Sequence, residues 1–299
     1  MRKLIIAALL AAGALALVLM VFAPSPARDA EAWFPDLAYA SASPRQTLDL
    51  YLPRGAQPFP FIVYIHGGGF KAGNKRAGNA PHIISAALGR GYAVASLNYR
   101  RSGEATFPAA VEDVFTAIRF LKTVAPEYGL APDRMATWGD SAGGNLAAMA
   151  ATRGTAEDGT QVQAAVDWFG PIVFDRMDAE FAALGLAPRL GPTDAPGSPE
   201  SQYLGVAVGA PEAAGLVRDA SPQSYITPDD PPMLIQHGTE DHNVPILQSQ
   251  NFAEALARVI GPENVVFLAL SGAGHGGDAF LNEENFARVF DFLDARLRP

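Results

Sequence analysis

A serine, a histidine and a carboxylate stand at three separated addresses whose neighbours leave them free to react. Ser141 lies in Gly139-Asp140-Ser141-Ala142-Gly143-Gly144, after the apolar run Met135–Trp138 and before a helical stretch. This is the strand–turn–helix setting of a nucleophile held on a sharp turn. Glycines flank the serine because a turn that lifts a hydroxyl clear of a sheet brings backbone too close for a Cβ. About 0.1 Gly-x-Ser-x-Gly matches are expected by chance at this composition, so the pattern needs support from elsewhere in the chain.

Support comes from His66-Gly67-Gly68-Gly69-Phe70, directly after the apolar run Phe61–Ile65. Consecutive unhindered amides at a strand end are the donors that a developing oxyanion needs. Only about 0.005 His-Gly-Gly-Gly strings are expected by chance, which sets aside a mere flexible hairpin. Asp241 follows the run Met233–Gln236, and His275 sits in the glycine-rich loop after Asn264–Leu270. A neutral His275 would take the proton from Ser141 Oγ, while Asp241 would fix the imidazole tautomer and stabilise the imidazolium that forms. The amide of Ala142, the residue after the nucleophile, would join the glycine loop around the oxyanion. The implied chemistry is acyl transfer through a covalent serine intermediate, which requires no cofactor.

Other residues of the same types compete for these roles. His66 and His237 sit beside glycines at strand ends and read as loop-ordering residues; His82 reads as a surface helix residue. His242 adjoins the acid, but a base needs a loop of its own that can swing over Ser141, which favours His275. Glu240, Asp278 and Asp219 are the alternatives to Asp241 and read as solvated carboxylates. Asp113 and Arg134 read as ion-pairing residues that hold loops. No His-Glu-x-x-His or similar spacing points to a metal.

The elements that must position these groups alternate along the chain. Phe61–Ile65, Tyr92–Ser96, Met135–Trp138, Ala164–Phe169, Met233–Gln236 and Asn264–Leu270 are apolar runs of strand length, expected to be buried on both faces. Between them Pro81–Gly89, Pro108–Val124, Asn145–Thr152, Ser249–Ile260 and Glu283–Leu297 have helical patterning, with apolar residues at 111, 114, 115, 118 and 121 in the second. The alternation predicts an α/β fold: a mainly parallel central sheet, helices on both faces, and reactive loops at the carboxyl ends of the strands. Residues 175–230, rich in Gly, Pro, Ala and Asp, interrupt it for too long to be an ordinary connection and read as an inserted cap or lid. Their mixture of small, charged and apolar residues argues against the large apolar lid of an interfacial lipase.

With these strings in place the sequence resembles the α/β-hydrolase superfamily. Within it, the chain is similar to the bacterial esterase/lipase group of hormone-sensitive-lipase-like and feruloyl-esterase-like (BD-FAE-like) carboxylesterases. The resemblance runs from about Leu48 to the C-terminus. It is carried by Leu48-Asp-Leu-Tyr-Leu-Pro53, His66–Phe70, Asp133-Arg134 ahead of Gly139–Gly144, Pro231–Gly238 continuing to Asp241 and Val244-Pro245, and Gly274-His275-Gly276. The order Ser, Asp, His along the chain matches this superfamily. The resemblance implies Ser141, Asp241 and His275 as the catalytic triad, and Gly68, Gly69 and Ala142 as oxyanion donors, with Gly67 as an alternative donor. It implies hydrolysis of short-chain or aromatic carboxylic esters, such as acylated oligosaccharide fragments. An amide-bond hydrolase (formamidase or peptidase) is the alternative on the same fold, and a non-catalytic binding module is a more distant one. The stretch 175–230 matches no family string, so substrate identity does not follow from the resemblance.

Composition narrows partners and compartment. The 299 residues carry 22 basic and 31 acidic side chains, a formal charge of −9, which is the wrong sign for a nucleic-acid binder. With no cysteine there is no disulfide framework, thiolate nucleophile or cysteine-bound zinc. Arg2 and Lys3 precede an apolar run from Leu4 to Phe22, followed by Ser25-Pro26-Ala27. Residues 1–27 read as an export signal cut after Ala27, leaving residues 28–299 as one domain in the periplasm or medium. The apolar run is close to the roughly 20 residues that span a bilayer, so an uncleaved N-terminal membrane anchor is the alternative. Both readings place the domain outside the cytoplasm, and neither defines an oligomeric state.

Overall fold

The computed structural model describes residues 26–298, so the leader, apart from its last two residues, lies outside the described part. Among the described residues, eight strands form one sheet in the order β1-β2-β4-β3-β5-β6-β7-β8. The strands are β1 (Ala32–Ala38), β2 (Thr47–Leu52), β3 (Phe59–Ile65), β4 (Ala93–Leu97), β5 (Leu130–Asp140), β6 (Ala164–Trp168), β7 (Met233–Gly238) and β8 (Val265–Leu270). From β4 to β8 every neighbouring pair is parallel, while β1/β2 and β2/β4 are antiparallel. The mainly parallel sheet expected from the alternation is present. Neither β1 nor β2, the antiparallel strands at one edge, is among the expected strands; β1 is interrupted by Pro35 and Asp36, and the bulge there breaks the apolar alternation of a strand.

Helices cover both faces. α1 (Pro26–Asp29) is a single turn; α2 (Ala80–Gly89) and α10 (Glu283–Leu297) pack on one face; α3 (Ala109–Tyr128), α4 (Ala142–Arg153) and α8 (Leu247–Ile260) pack on the other. β3 shows how one strand serves both layers: Phe61, Val63 and Ile65 join one core, and Ile62 and Tyr64 the other. On α3 the stripe Val111, Val114, Phe115, Ile118 and Leu121 is buried as patterned, and the helix stops where Gly129 turns left-handed at φ 63°. Burial on both faces fails for one expected strand. β8 is the sheet edge, and five of its six residues keep partial or full exposure.

Residues 175–230 fall between β6 and β7 and fold as α5 (Met177–Leu184), α6 (Pro199–Leu204), α7 (Ala214–Asp219) and short 3-10 turns. Phe174, Phe181, Tyr203, Leu204 and Val217 are buried in the same core as α3 and α4. The insertion is therefore a packed cap. α9 (Asp278–Leu281) is one turn between the His275 loop and α10.

Candidate active site

The parallel pairing of β3 with β5 sets Ile65 opposite Gly139, so the loops beginning at His66 and Asp140 leave the sheet side by side at its carboxyl edge. Between β5 and α4, Ser141 adopts φ 55°, ψ −124°, a conformation that costs a non-glycine residue on the order of 1–3 kcal/mol. The surrounding structure holds it there: Ser141 N–H donates to Trp168 O (2.8 Å), and its own carbonyl accepts from Asn145 N–H (3.1 Å). Glycine is needed on both sides. A Cβ at Gly139 would run into the Gly143 carbonyl, and one at Gly143 into the Ile65 carbonyl.

The His66–Phe70 loop wraps over this turn. Gly68 and Gly69 have φ of 120° and 58° and line the same cavity as Ser141. A Cβ on Gly67 would come within 3.2 Å of Ser141 Cβ and 2.7 Å of the Asp140 carbonyl, so the loop and the serine turn are in close contact. Ala142 is the first residue of α4. Asp140, whose part the sequence did not reveal, bridges the two loops. Its carboxylate accepts from Tyr64 Oη–H (2.5 Å) and Asn79 Nδ2–H (3.2 Å). Burial pushes that carboxyl up, against the opposing effects of Tyr64, His275, the Gly67 amide and Asn79.

His275 Nε2 lies 2.8 Å from Ser141 Oγ, and His275 Nδ1 lies 2.7 Å from Asp241 Oδ2. With Nδ1–H donating to the carboxylate, Nε2 is the acceptor that faces the serine hydroxyl. Asp241 is fully buried, and its Oδ1 accepts from the backbone N–H of Asn243 (2.7 Å) and Val244 (3.0 Å). Burial alone would raise its carboxyl, but hydrogen bonds from His237 and His275 outweigh it and hold the group well below the usual carboxylate range. The two loops carrying Asp241 and His275 are tied together by Glu240 N–H to Ala273 O (2.8 Å) and Thr239 N–H to Leu270 O (3.1 Å).

His237 does more than order a loop. Its Nε2 is 3.2 Å from Asp241 Oδ2 and 2.9 Å from Val244 O, and its Nδ1 is 2.7 Å from Ser249 Oγ. The neutral tautomer that satisfies both oxygens carries the proton on Nε2 and accepts from the Ser249 hydroxyl. Phe169 is a further contributor that no motif announced. It holds φ 44° at the end of β6, with its ring centroid 4.6 Å from that of His275.

The remaining candidates are placed elsewhere. His66 donates Nδ1–H to Gly67 O (2.7 Å) and stacks on Tyr99; burial brings its pKa down to about 4, so it orders the loop as a neutral ring. His242 Nδ1 meets Ala187 O (2.8 Å) and fastens the cap. Glu240 is exposed, Asp219 pairs with Arg218 (3.1 Å), and Asp278 starts α9. Asp113 and Arg134 hold loops but not each other: Asp113 pairs with Arg100 (2.7 Å), and Arg134 donates to Pro58 O (2.8 Å).

Ser141 and His275 open into a cavity of about 380 Å³, roofed by cap residues Leu190, Gly197, Pro199 and Glu200 and floored by Phe169, Pro171 and Val244. Its size is at the lower end of the roughly 300–1,000 Å³ of small-molecule sites. Among the described residues no group of three or more His, Cys, Asp and Glu side chains is placed to hold a metal ion.

Comparison with known proteins adds the lineage. The sequence profile of the BD-FAE family matches residues 48–256. The chain belongs to the BD-FAE family. It is 32% identical over 229 residues to the probable carboxylic ester hydrolase LipM of Mycobacterium tuberculosis, covering 73% of this chain and 49% of LipM. It is 31% identical over 266 residues to the esterase LipQ of the same organism, covering 85% of this chain and 60% of LipQ. The chain thus spans about half to three-fifths of the length of these relatives. Among solved structures, a truncated carbohydrate esterase from gut microbiota is 28% identical with a TM-score of 0.79, covering 91% of this chain and 98% of that one. Est2, a thermophilic esterase of Thermogutta terrifontis, is 25% identical with a TM-score of 0.66, covering 86% of this chain and 90% of that one.

Proposed function

We propose that this BD-FAE family member is an exported serine carboxylesterase that hydrolyses esters of small acyl groups. The observation that carries the reading is the unbroken line Asp241 Oδ2–His275 Nδ1 (2.7 Å) and His275 Nε2–Ser141 Oγ (2.8 Å) at the foot of an open cavity. Ser141 Oγ attacks the ester carbonyl carbon as His275 Nε2 takes its proton; charge gathers on the carbonyl oxygen beneath the amides of Gly68, Gly69 and Ala142. Collapse expels the alcohol, protonated by His275, and leaves an acyl group on Ser141. Water, deprotonated by the same imidazole, then releases the carboxylic acid and restores the serine. Asp241 stays ionised throughout and stabilises the imidazolium.

The modest cavity supports small acyl groups. The likeness to the carbohydrate esterase from gut microbiota supports a sugar-bearing alcohol. Export rests on the basic and apolar leader, residues 1–27, which lies almost wholly outside the described residues. Among the described residues no helix is long and apolar enough to cross a membrane.

The test is hydrolysis of p-nitrophenyl acetate, butyrate and decanoate by the wild type and Ser141→Ala, with p-nitroacetanilide as an amide control. The expected result is turnover that falls from acetate to decanoate and at least about a thousandfold loss in the variant. Equal inactivity on the esters with cleavage of the anilide would move the activity to amides.

A further inference from the structure

Most polar groups around the cavity already have protein partners. Ser141, His275 and Asp241 are joined to one another, and Asp140 is met by Tyr64 and Asn79. Glu200 is different. It lines the cavity and is only 7% exposed, yet among the described residues no side chain and no other residue's amide reaches its carboxyl. Buried polar groups are nearly always hydrogen-bonded. A carboxyl in the pocket that holds Ser141, with its own backbone amide as its one protein donor among the described residues, points to a ligand that brings donors with it.

The carboxyl is also held firmly in place. Glu200 sits in the first turn of α6, where Ser198 Oγ accepts from Ser201 N–H (3.0 Å). Tyr203, one turn later, stacks on Phe70 of the glycine loop with centroids 3.9 Å apart, and Pro199 lies against Gly69. The cap thus carries Glu200 over the oxyanion loop on a fixed element.

We propose that Glu200 is a specificity-determining residue that hydrogen-bonds a free hydroxyl of the substrate close to the scissile ester. The inference rests on the esterase reading above and deepens it. Hydroxyls fit better than an ammonium group. The site must accommodate an imidazolium at His275 in every acyl transfer, and Lys71 stands at the rim, so a cationic substrate would meet like charge. A hydroxyl donates without adding charge. Burial pushes the Glu200 carboxyl up to about 7, so near neutrality a neutral acid that can also donate is well populated, which suits a hydroxyl partner too.

The experiment compares two acetates of similar shape, a mono-acetate of methyl glucoside and cyclohexylmethyl acetate, with acetylcholine as a cationic third. Values of kcat/KM are measured for the wild type, Glu200→Gln and Glu200→Leu. The wild type is expected to prefer the glucoside acetate. Glu200→Leu should lower the ratio of glucoside to cyclohexylmethyl ester about tenfold or more, and Glu200→Gln, which keeps an acceptor and a donor, should lower it less. A ratio is insensitive to general damage from the substitution. Equal loss on both esters, or no change on either, overturns the proposal; selective loss on acetylcholine overturns it in favour of a cation site. Should both variants fail to fold, competition in the wild type decides: methyl glucoside should inhibit p-nitrophenyl acetate hydrolysis competitively, more strongly than cyclohexylmethanol, and failure to do so overturns the assignment. Loss of Ser141-dependent hydrolysis of p-nitrophenyl acetate would defeat the esterase reading itself. Intact hydrolysis with no hydroxyl preference defeats only the role of Glu200.

Discussion

At the scale of single residues the site is a chain of hydrogen bonds in which each proposed catalytic group is held by a neighbour. His275 is oriented by Asp241, and Asp241 by two backbone amides and His237. Removing His237 leaves Asp241 with one fewer donor and opens a void where the ring packed. A lost hydrogen bond to a buried charge costs about 1.5–3 kcal/mol, so His237→Ala should lower kcat roughly ten- to a hundredfold. KM for p-nitrophenyl acetate should stay within about twofold, because the ring does not line the cavity. A rise in KM with kcat unchanged would show that the residue acts on binding instead. The meeting of Ser141, His275 and Asp241 was legible in the sequence because glycines and strand ends marked all three. His237, Phe169, Asp140 and Glu200 act through packing and hydrogen bonds between segments far apart in the chain, for which the sequence carries no local signal.

At the scale of elements, β6 carries an ionisable group whose titration is tied to stability. Asp167 is fully buried beneath the serine turn; its Oδ1 accepts from Gly170 N–H (2.9 Å), and its Oδ2 has no partner. Burial pushes the carboxyl up to about 7, with the Gly170 amide opposing it. Because the folded value lies above the unfolded value near 3.8, the native state binds more protons between about pH 4 and 7. Stability contributed through this group is therefore lost as pH rises across that window. Asp167→Asn keeps the acceptor for Gly170 and removes the titration. The melting temperature of the variant relative to the wild type should rise from pH 4 to 7 and then level off, as the difference in unfolding free energy changes by at most about 4 kcal/mol. A difference independent of pH would mean that Asp167 ionises freely. The strands between helices were readable from their apolar runs, whereas β1 was hidden by its bulge at Pro35 and Asp36. The cap helices were hidden for another reason. α6 and α7 are six residues each and are stabilised by packing of Tyr203 and Val217 on a distant core, so they lack a helical period of their own.

At the scale of the whole molecule, the sheet register brings three loops from β5, β7 and β8 to one edge, and the cap walls an open cavity above them. The same register explains why the site was readable without contacts. In a parallel sheet the reactive loops share one edge whatever the loop sequences, so their order along the chain was enough to group them. The leader belongs to this scale as well. If residues 1–27 direct export and are removed, the protein recovered from outside the cytoplasm begins at Arg28, as N-terminal sequencing will show; recovery of the intact leader in the membrane fraction would mean that it anchors instead. Covalent chemistry at Ser141 is the claim on which everything else depends. Treatment with paraoxon, followed by peptide mass mapping and residual p-nitrophenyl acetate hydrolysis, tests it most directly. One diethylphosphoryl group per chain is expected, on Ser141, with activity lost in proportion. Full modification of Ser141 with activity retained, or activity lost through an adduct elsewhere, would contradict it.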